Sequence, residues 1–306
     1  MLSINELRHL RLLAQATSVA DAAARGGISA PAISKSLSGI ERKLGTQLFI
    51  RRRGALVPTR SGIAAIRRVS ILLNELEALT FDIDAIAQGA QGVLRFGIGP
   101  AVASLFLKDT LAEICTEHRD LVPRFEVAFW TSCEGKLINR EIDMFIGGFA
   151  SPPNDDRFEF TPLYNDTIVA LAHKDHPILL RSAITLEDLI HYPVLGFPSA
   201  IDTWRSLTSV ESLELFQRNV PGSVMPDPLQ LLPVISKTNQ IVVVPDLNWR
   251  AVKKEHPDIV ELKVERLRGM AHMYFVHLAG AELPDCYAQL VAAFKNQLAV
   301  IRRSET

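Results

Sequence analysis

Ala30, Ser34, Lys35 and Ser38 occupy one side of a predicted helix, and the chemistry open to its serines and lysine is hydrogen bonding to nucleic-acid base edges and phosphates. A lysine reaches a guanine edge or a phosphate, the serines reach either, and the helix N-terminus itself favours a phosphate. Along the same helix Ile33, Leu37, Ile40 and Leu44 recur at spacings of four, three and four. That apolar stripe turns Ala30, Ser34, Lys35 and Ser38 away from a core. An isolated amphipathic helix has the same pattern, so the neighbouring segments decide between a recognition face and an ordinary polar one.

Those segments must position the helix. Leu7, Leu10, Leu13 and Ala14 predict a first helix, and Ser18 caps a second that is rich in alanine. Gly26 and Gly27 supply a tight turn; Ser29 then caps the third helix, with Pro31 in its first turn where a missing N–H costs nothing. From Leu48 to Thr59 two short extended runs flank a glycine, a β-hairpin carrying Arg51, Arg52 and Arg53. Consecutive arginines on a hairpin suit phosphates or a minor groove. The economical reading is a winged helix-turn-helix, with Ser18, Ser29, Ala30, Pro31, Ser34, Lys35, Ser38, Arg51, Arg52 and Arg53 as candidate DNA contacts and double-stranded DNA as partner.

Charge agrees. Residues 1–68 hold twelve Lys+Arg and three Asp+Glu, a balance of +9, so the rest of the chain carries −10 against a total of −1. One basic end on an acidic body suits a protein that presents that end to phosphates. With 306 residues, 48% of them hydrophobic, the chain is long enough for two domains. No apolar run approaches membrane-span length and Met1 leads into Asn5, Glu6 and Arg8, so a cytoplasmic, membrane-free protein is expected. Cys115, Cys133 and Cys286 are dispersed and odd in number, a pattern that suggests neither a disulfide framework nor a zinc knuckle and predicts reduced thiols.

Thr59 is expected to cap a long helix over about 60–88, in which Ile66, Val69, Leu73, Leu76, Thr80 and Ile83 alternate at three and four residues as an a/d seam. A dimer reading two half-sites follows. Gln88–Gly92 then breaks the helix as a hinge, and strand and helix patterns alternate from Val93 onward, which predicts an α/β body with largely parallel sheets. The predicted strands are 93–98, 124–129, 143–147, 166–172, 193–197, 241–244 and 271–278; the helices are 102–116, 133–140, 185–190, 227–237 and 284–301.

Residues Leu7 to Gly62 resemble the N-terminal domain of LysR-type transcriptional regulators. The resemblance rests on Ser18, the Ala22-Ala23 pair, Ser29-x-Pro31-Ala32-Ile33-Ser34-Lys35, Ile40-Glu41-x-x-Leu44-Gly45-x-x-Leu48-Phe49-x-Arg51 and Thr59-x-x-Gly62. It continues, more weakly, through Gly92-x-Leu94-Arg95-x-Gly97, Ile142-Asp143-Met144-x-Ile146, His176-Pro177-Ile178 and Leu186-Glu187-Asp188-Leu189. The family usually has Gln where this chain has Ala30 and a large apolar residue where it has Gly26. Loss of the Gln shifts base reading toward Ser34, Lys35 and DNA shape. What the resemblance implies is an all-α winged head (1–60), a linker and dimerisation helix (61–88) and a two-subdomain effector-binding body (89–306). The body would be of the type 2 periplasmic-binding-protein kind, with subdomain I over about 92–164 and 270–306 and subdomain II over about 165–269. It also implies promoter DNA, a small-molecule effector, a dimer of dimers, and RNA polymerase as a candidate partner, with no cofactor.

In open α/β sheets a ligand lies beyond the carboxyl ends of the strands, near helix N-termini. Four segments qualify: Gly99–Ser104 (Pro100, Ala101, Val102, Ser104), Thr131-Ser132, Gly147–Phe149 (Gly148, Phe149) and Phe197–Ile201 (Phe197, Pro198, Ser199, Ile201). Small hydroxyls among apolar residues suit an organic or aromatic acid; ordinary turns and caps use the same residue types. Other chemistry is poorly represented. Val102 stands where a dinucleotide fingerprint needs a third Gly or Ala, no G-x-S-x-G, P-loop or HExxH occurs, and His173 and His176 lack further metal ligands nearby. The alternatives that stay open are an enzyme on the same body with an idle head, a DNA-binding structural protein, and a thiol sensor, for which Cys133 at a predicted helix start is the candidate.

Overall fold

Each of the first three helices opens on a serine in the computed structural model, which describes residues 1–52, 55–149, 152–189, 191–195, 228–265 and 270–303. Ser3, Ser18 and Ser29 are extended at the N-caps of α1 (Ile4–Ala14), α2 (Val19–Gly26) and α3 (Ala30–Leu44), and each side chain accepts from a backbone N–H three residues on. That satisfies one orphan donor per helix. Gly27 (φ 63°) and Gly45 (φ 67°) end α2 and α3 in the left-handed region that glycine enters without penalty. A two-stranded wing follows, β1 (Phe49–Arg52) antiparallel to β2 (Ala55–Pro58), with Arg51 opposite Leu56 and Arg52 opposite Ala55.

Thr59 caps α4 (Arg60–Ala87), whose first turns close the head. Leu10, Leu13, Ala22, Ala23, Ile33, Ile40, Leu48 and Phe49 share a buried core with Val69 and Leu73 of α4, and Ile66 packs against it. This corrects two expectations. Leu44, assigned to the buried stripe, is 45% exposed; and Val69 and Leu73, assigned to a dimer seam, are consumed by the head. The apolar stripe that α4 leaves exposed is shifted around the helix: Leu72, Leu79, Ile83 and Ile86 are each 56–58% exposed, with half-buried Leu76 completing a four-three-four-three spacing.

The chain divides into two compact units, Met1–Gln88 with Ile138–Glu141, and Gly89–Leu137 with Ile142–Thr306. The second holds an eight-stranded mixed sheet. Its path runs β4 (Leu121–Val127), β3 (Gly92–Ile98), β5 (Met144–Phe149), β10 (Met270–Leu278), β6 (Phe158–His173), β8 (Ile241–Pro245), β7 (Val194–Leu195), with β9 (Ile259–Leu262) also paired to β6. Among the described strands β3–β4, β3–β5 and β7–β8 pair parallel, whereas β10–β5, β10–β6, β6–β8 and β6–β9 are antiparallel. The expectation of largely parallel sheets is therefore overturned, because two long strands, β6 and β10, run side by side through the middle of the sheet in opposite directions.

Helices cover the sheet. α5 (Pro100–Val102), a π-helical turn (Ala103–Leu107) and α6 (Lys108–Glu117) form one continuous segment, and α7 (Trp130–Ile138) follows β4. α8 (Leu186–Leu189), α9 (Leu232–Ile235), α10 (Asp246–Val252) and α11 (Cys286–Arg303) complete the described helices. Val102, Phe106 and Ile114 pack with Leu94, Phe96, Ile98, Ile146, Phe275, Leu290 and Phe294 in the largest core. Two further cores lie around β6 and β8, one holding Ile178, Leu186 and Leu189, the other Leu232, Ile235 and Trp249.

His176 is buried in this second unit, capping a 3-10 turn (Pro177–Leu180) by accepting the Ile178 N–H at Nδ1, with its ring edge-on to Tyr192. Burial holds its pKa below the ordinary value of 6.5. A histidine whose folded pKa is depressed contributes stability that is present above its unfolded pKa and lost as pH falls through the folded one. Denaturant midpoints are thus expected to drop between pH 7 and 5, with a flatter profile in His176→Asn. Asp166, pushed up to about 6 by burial, opposes that trend, so the difference between the two proteins is the quantity that isolates the histidine. Parallel profiles would contradict it.

Candidate nucleic-acid interface and effector site

The polar face of α3 is built from its cap outward. Ser29, Pro31, Ser34, Lys35 and Ser38 are exposed, while Ile33 and Ile40 on the opposite side are fully buried. Ala30 differs from the expectation. It is half-buried and packs against the head core, so at this position the helix offers a methyl group to the interior. Ser18 is half-buried and its side chain accepts the Asp21 N–H, which commits it to capping α2.

Two contacts fix α3 against α1: His9 Nδ1 lies 2.8 Å from Ser36 Oγ, and Lys43 Nζ is 2.7 Å from Glu6 Oε1. The lysine, with the Ser3 backbone N–H, holds the Glu6 carboxyl down at about 2. Glu41 accepts the N–H groups of Leu48 and Phe49 (2.7 and 3.2 Å) and so sets where the wing begins. The wing is tied back to the turn before α2 by Leu56 N–H donating to Thr17 O at 2.9 Å. Arg51 and Arg52 are exposed on β1; Arg53 lies outside the described residues. At Gly26 an added Cβ would lie 2.6 Å from Leu12 Cδ1. Leu12 therefore fills the space that a larger residue at position 26 would need.

The described effector candidates lie on three segments of the second unit. Pro100 and Val102 are buried, Ala101 is half-buried and Ser104 is exposed, all on the segment that leaves β3. Ser104 sits in the π-helical turn, a form that recurs at functional sites. Thr131 and Ser132 are both exposed in the first turn of α7. Gly148 stands where a Cβ would meet Met273 Sδ at 2.7 Å. Phe149 is buried in an aromatic cluster with Trp130, Phe160 and Tyr274, ring centroids 5.4–6.0 Å apart. Val102 and Phe149 are thus packed as core, and Phe197, Pro198, Ser199 and Ile201 lie outside the described residues.

A residue that the sequence reading passed over joins this region. Asn248, in α10, is fully buried; its Nδ2 donates to Ala101 O (2.8 Å) and Ser104 Oγ (2.7 Å). α10 itself begins at Pro245, which has no side-chain cap, and the missing acceptor comes from Asp166 of β6, whose Oδ2 accepts the Leu247 N–H at 3.2 Å. Burial raises the Asp166 pKa to about 6 against the lowering effect of its two backbone hydrogen bonds. Asp246 is paired with Arg250 at 2.6 Å.

Cys133 is fully buried, and desolvation, then Glu126, pushes its thiol up to about 12. The activation expected from a helix start is outweighed by burial, which favours the protonated thiol over the nucleophilic thiolate. Cys286 is also buried and raised by burial; Cys115 is exposed. Among the described residues no group of three or more His, Cys, Asp or Glu could hold a metal, and no helix is long and apolar enough to cross a membrane.

Family models match both parts of the chain: the bacterial regulatory helix-turn-helix protein model of the LysR family over residues 4–63, and the LysR substrate binding domain over residues 87–299. The SDS degradation transcriptional activation protein of Pseudomonas sp. (strain ATCC 19151) is 27% identical over 198 residues, 64% of this chain and 65% of that protein. The HTH-type transcriptional regulator CbbR of Sinorhizobium medicae (strain WSM419) is 28% identical over 180 residues, 58% of this chain and 55% of that one. The chain spans about half to two thirds of the length of these curated relatives. CbnR, a LysR family transcriptional regulator, shares the fold at a TM-score of 0.62 and 19% identity, covering 100% of both chains. Full-length CbnR complexed with its target DNA gives 0.64 at 19% identity, with 97% of this chain and 100% of that one covered.

Proposed function

Because the chain belongs to the LysR family of bacterial regulators, we propose that it binds promoter DNA as an oligomer and that a small organic or aromatic acid in the second unit modulates that binding. The observation that carries the reading is the exposed polar face of α3. Five candidate contacts, Ser29, Pro31, Ser34, Lys35 and Ser38, are open to solvent, as are two wing arginines, on a head whose apolar residues close into a core. Base reading rests on Ser34, Lys35 and Ser38, with Arg51 and Arg52 on phosphates or a minor groove and Arg53 beside them in sequence.

The oligomer is built on α4, where Leu72, Leu79, Ile83 and Ile86 form an exposed apolar row. Two such helices pair as a seam, and pairing places two heads on a pseudo-palindromic site. The effector region is the set Pro100, Ala101, Ser104, Thr131, Ser132 and Gly148, with the Phe197–Ile201 segment as its sequence-level complement. Ligand binding shifts the population between oligomer geometries by preferring one. We read the protein as cytoplasmic and as a regulator, not an enzyme. The thiol-sensor alternative is disfavoured by the burial of Cys133.

Lys35→Ala tests the recognition face. If Lys35 meets a phosphate, affinity falls about uniformly across DNA sequences and the slope of log affinity against log salt flattens by about one. Unchanged affinity and slope at all salt concentrations would remove Lys35 from the interface.

A further inference from the structure

The hydrogen-bond arithmetic around Asn248 narrows the chemistry of the effector site. A carboxamide has two N–H donors and one carbonyl acceptor. Both donors of Asn248 are spent, one on Ala101 O and one on Ser104 Oγ. The Ala101 carbonyl can only accept, so it fixes which end of the amide is nitrogen. Ser104 spends its single hydroxyl proton on the same carbonyl, at 3.1 Å. What is left is one lone pair on Ser104 Oγ and the whole of Asn248 Oδ1, which is buried and has no hydrogen-bond partner among the described residues.

An orphaned buried carbonyl costs free energy, about 1–3 kcal/mol, until a donor reaches it. The charged groups around the start of α10 point the same way: Asp246 lies two residues before Asn248 and Asp166 of β6 caps the helix, with Arg250 paired to Asp246. A second carboxylate brought to Asn248 Oδ1 and the remaining Ser104 lone pair would meet an acceptor at each. Thr131 and Ser132 differ, because their exposed hydroxyls make no described side-chain hydrogen bond and sit in the first turn of α7.

We propose that Asn248 is a specificity-determining residue of the effector site, and that the effector is an organic acid carrying a second, hydrogen-bond-donating group, a hydroxyl or an ammonium, which this corner receives. The inference rests on the effector reading above. Asn248 does two things there. It holds the Ala101–Ser104 turn in place, and it turns that turn into an acceptor surface that rejects a bare carboxylate.

The test uses matched acids in the full-length protein: phenylacetate against mandelate, and propionate against lactate and alanine, each read by thermal shift and by calorimetry. In the wild-type protein the donor-bearing member of a pair binds about tenfold tighter than its parent, the size of one net hydrogen bond. In Asn248→Leu that preference disappears. Should Asn248→Leu fail to fold, Ser104→Ala serves, since Ser104 is exposed: it releases one Asn248 N–H, so the parent acids gain relative to their hydroxylated partners. Equal or tighter binding of the parent acids by the wild-type protein overturns the proposal, as does a preference that survives both substitutions. If no acid of either kind shifts the protein, the effector reading itself fails, and this inference falls with it.

Discussion

Replacing Leu79 and Ile83 together by aspartate is expected to convert the protein to a monomer and to lower its affinity for a two-half-site promoter by at least about a hundredfold. Both residues are 57% exposed on α4, in a row that begins at Leu72 and ends at Ile86. Burying a leucine or isoleucine contributes about 1.5–3 kcal/mol each, and a seam buries both on each of two helices. Aspartate removes that gain and adds carboxylates facing each other across the axis. A two-half-site target multiplies the loss, since a lone head keeps only its own contacts. The folded head should survive, because its core uses Val69 and Leu73 on another side of α4. Analytical ultracentrifugation with a far-UV spectrum checks the outcome. An unchanged sedimentation coefficient would place the dimer interface elsewhere.

Gly62→Ala should unfold the head. The added Cβ would stand 2.0 Å from the Leu48 carbonyl oxygen and 3.3 Å from Pro58 Cβ, and that carbonyl already accepts the Thr59 N–H at 2.8 Å. The clash is with backbone at the junction of wing and helix, where neither side can yield without breaking the other. Alanine improves helix propensity by about 1 kcal/mol, but overpacking costs about 1–3 kcal/mol and occasionally more, and a 2.0 Å approach to backbone belongs at the upper end. The clash wins. Gly39→Ala is the control: nothing lies within 4 Å of its Cβ in the interior of α3, so it should stabilise the head by up to about 1 kcal/mol. Thermal unfolding of both variants separates the two effects. Equal melting temperatures would mean that the junction is looser than its geometry implies.

The head was legible in the sequence because its signals are local. A serine at each N-cap, glycines that end α2 and α3 at positive φ, and a hairpin turn each act within a few residues of the element they start or stop. The register of the α4 seam was not, since periodicity alone cannot tell a face that packs on its own head from one that awaits a partner. Val69 and Leu73 fit either use, and the fold of the head decides.

In the second unit the errors come from long range. β6 is predicted only as 166–172 but runs Phe158–His173. Pro162 argues against a continuous strand in sequence, yet it sits beside a bulge where Leu163 is the extra residue between Tyr164, opposite Met273, and Pro162, opposite Tyr274. α10 carried no cap of its own to announce it; its acceptor, Asp166, is 81 residues away from Leu247. Without a local signal for α10 the sequence gives none for Asn248, although the end of β3 does mark the turn it holds, Ala101 to Ser104. The candidate site was therefore half legible: the hydroxyls that terminate local elements were visible, and the buried amide that orders them was not.

The central claim is that this chain is a DNA-binding regulator with a ligand-responsive body, and the most direct test is fluorescence anisotropy of the full-length protein. The labelled duplex is the DNA immediately upstream of its own coding region, titrated across a range of salt with and without a library of small organic acids. A ligand-responsive regulator binds tightly, loses affinity steeply with salt, prefers this duplex to a random one, and changes its affinity with at least one acid. Binding no better than to the random duplex at every salt concentration would contradict the claim.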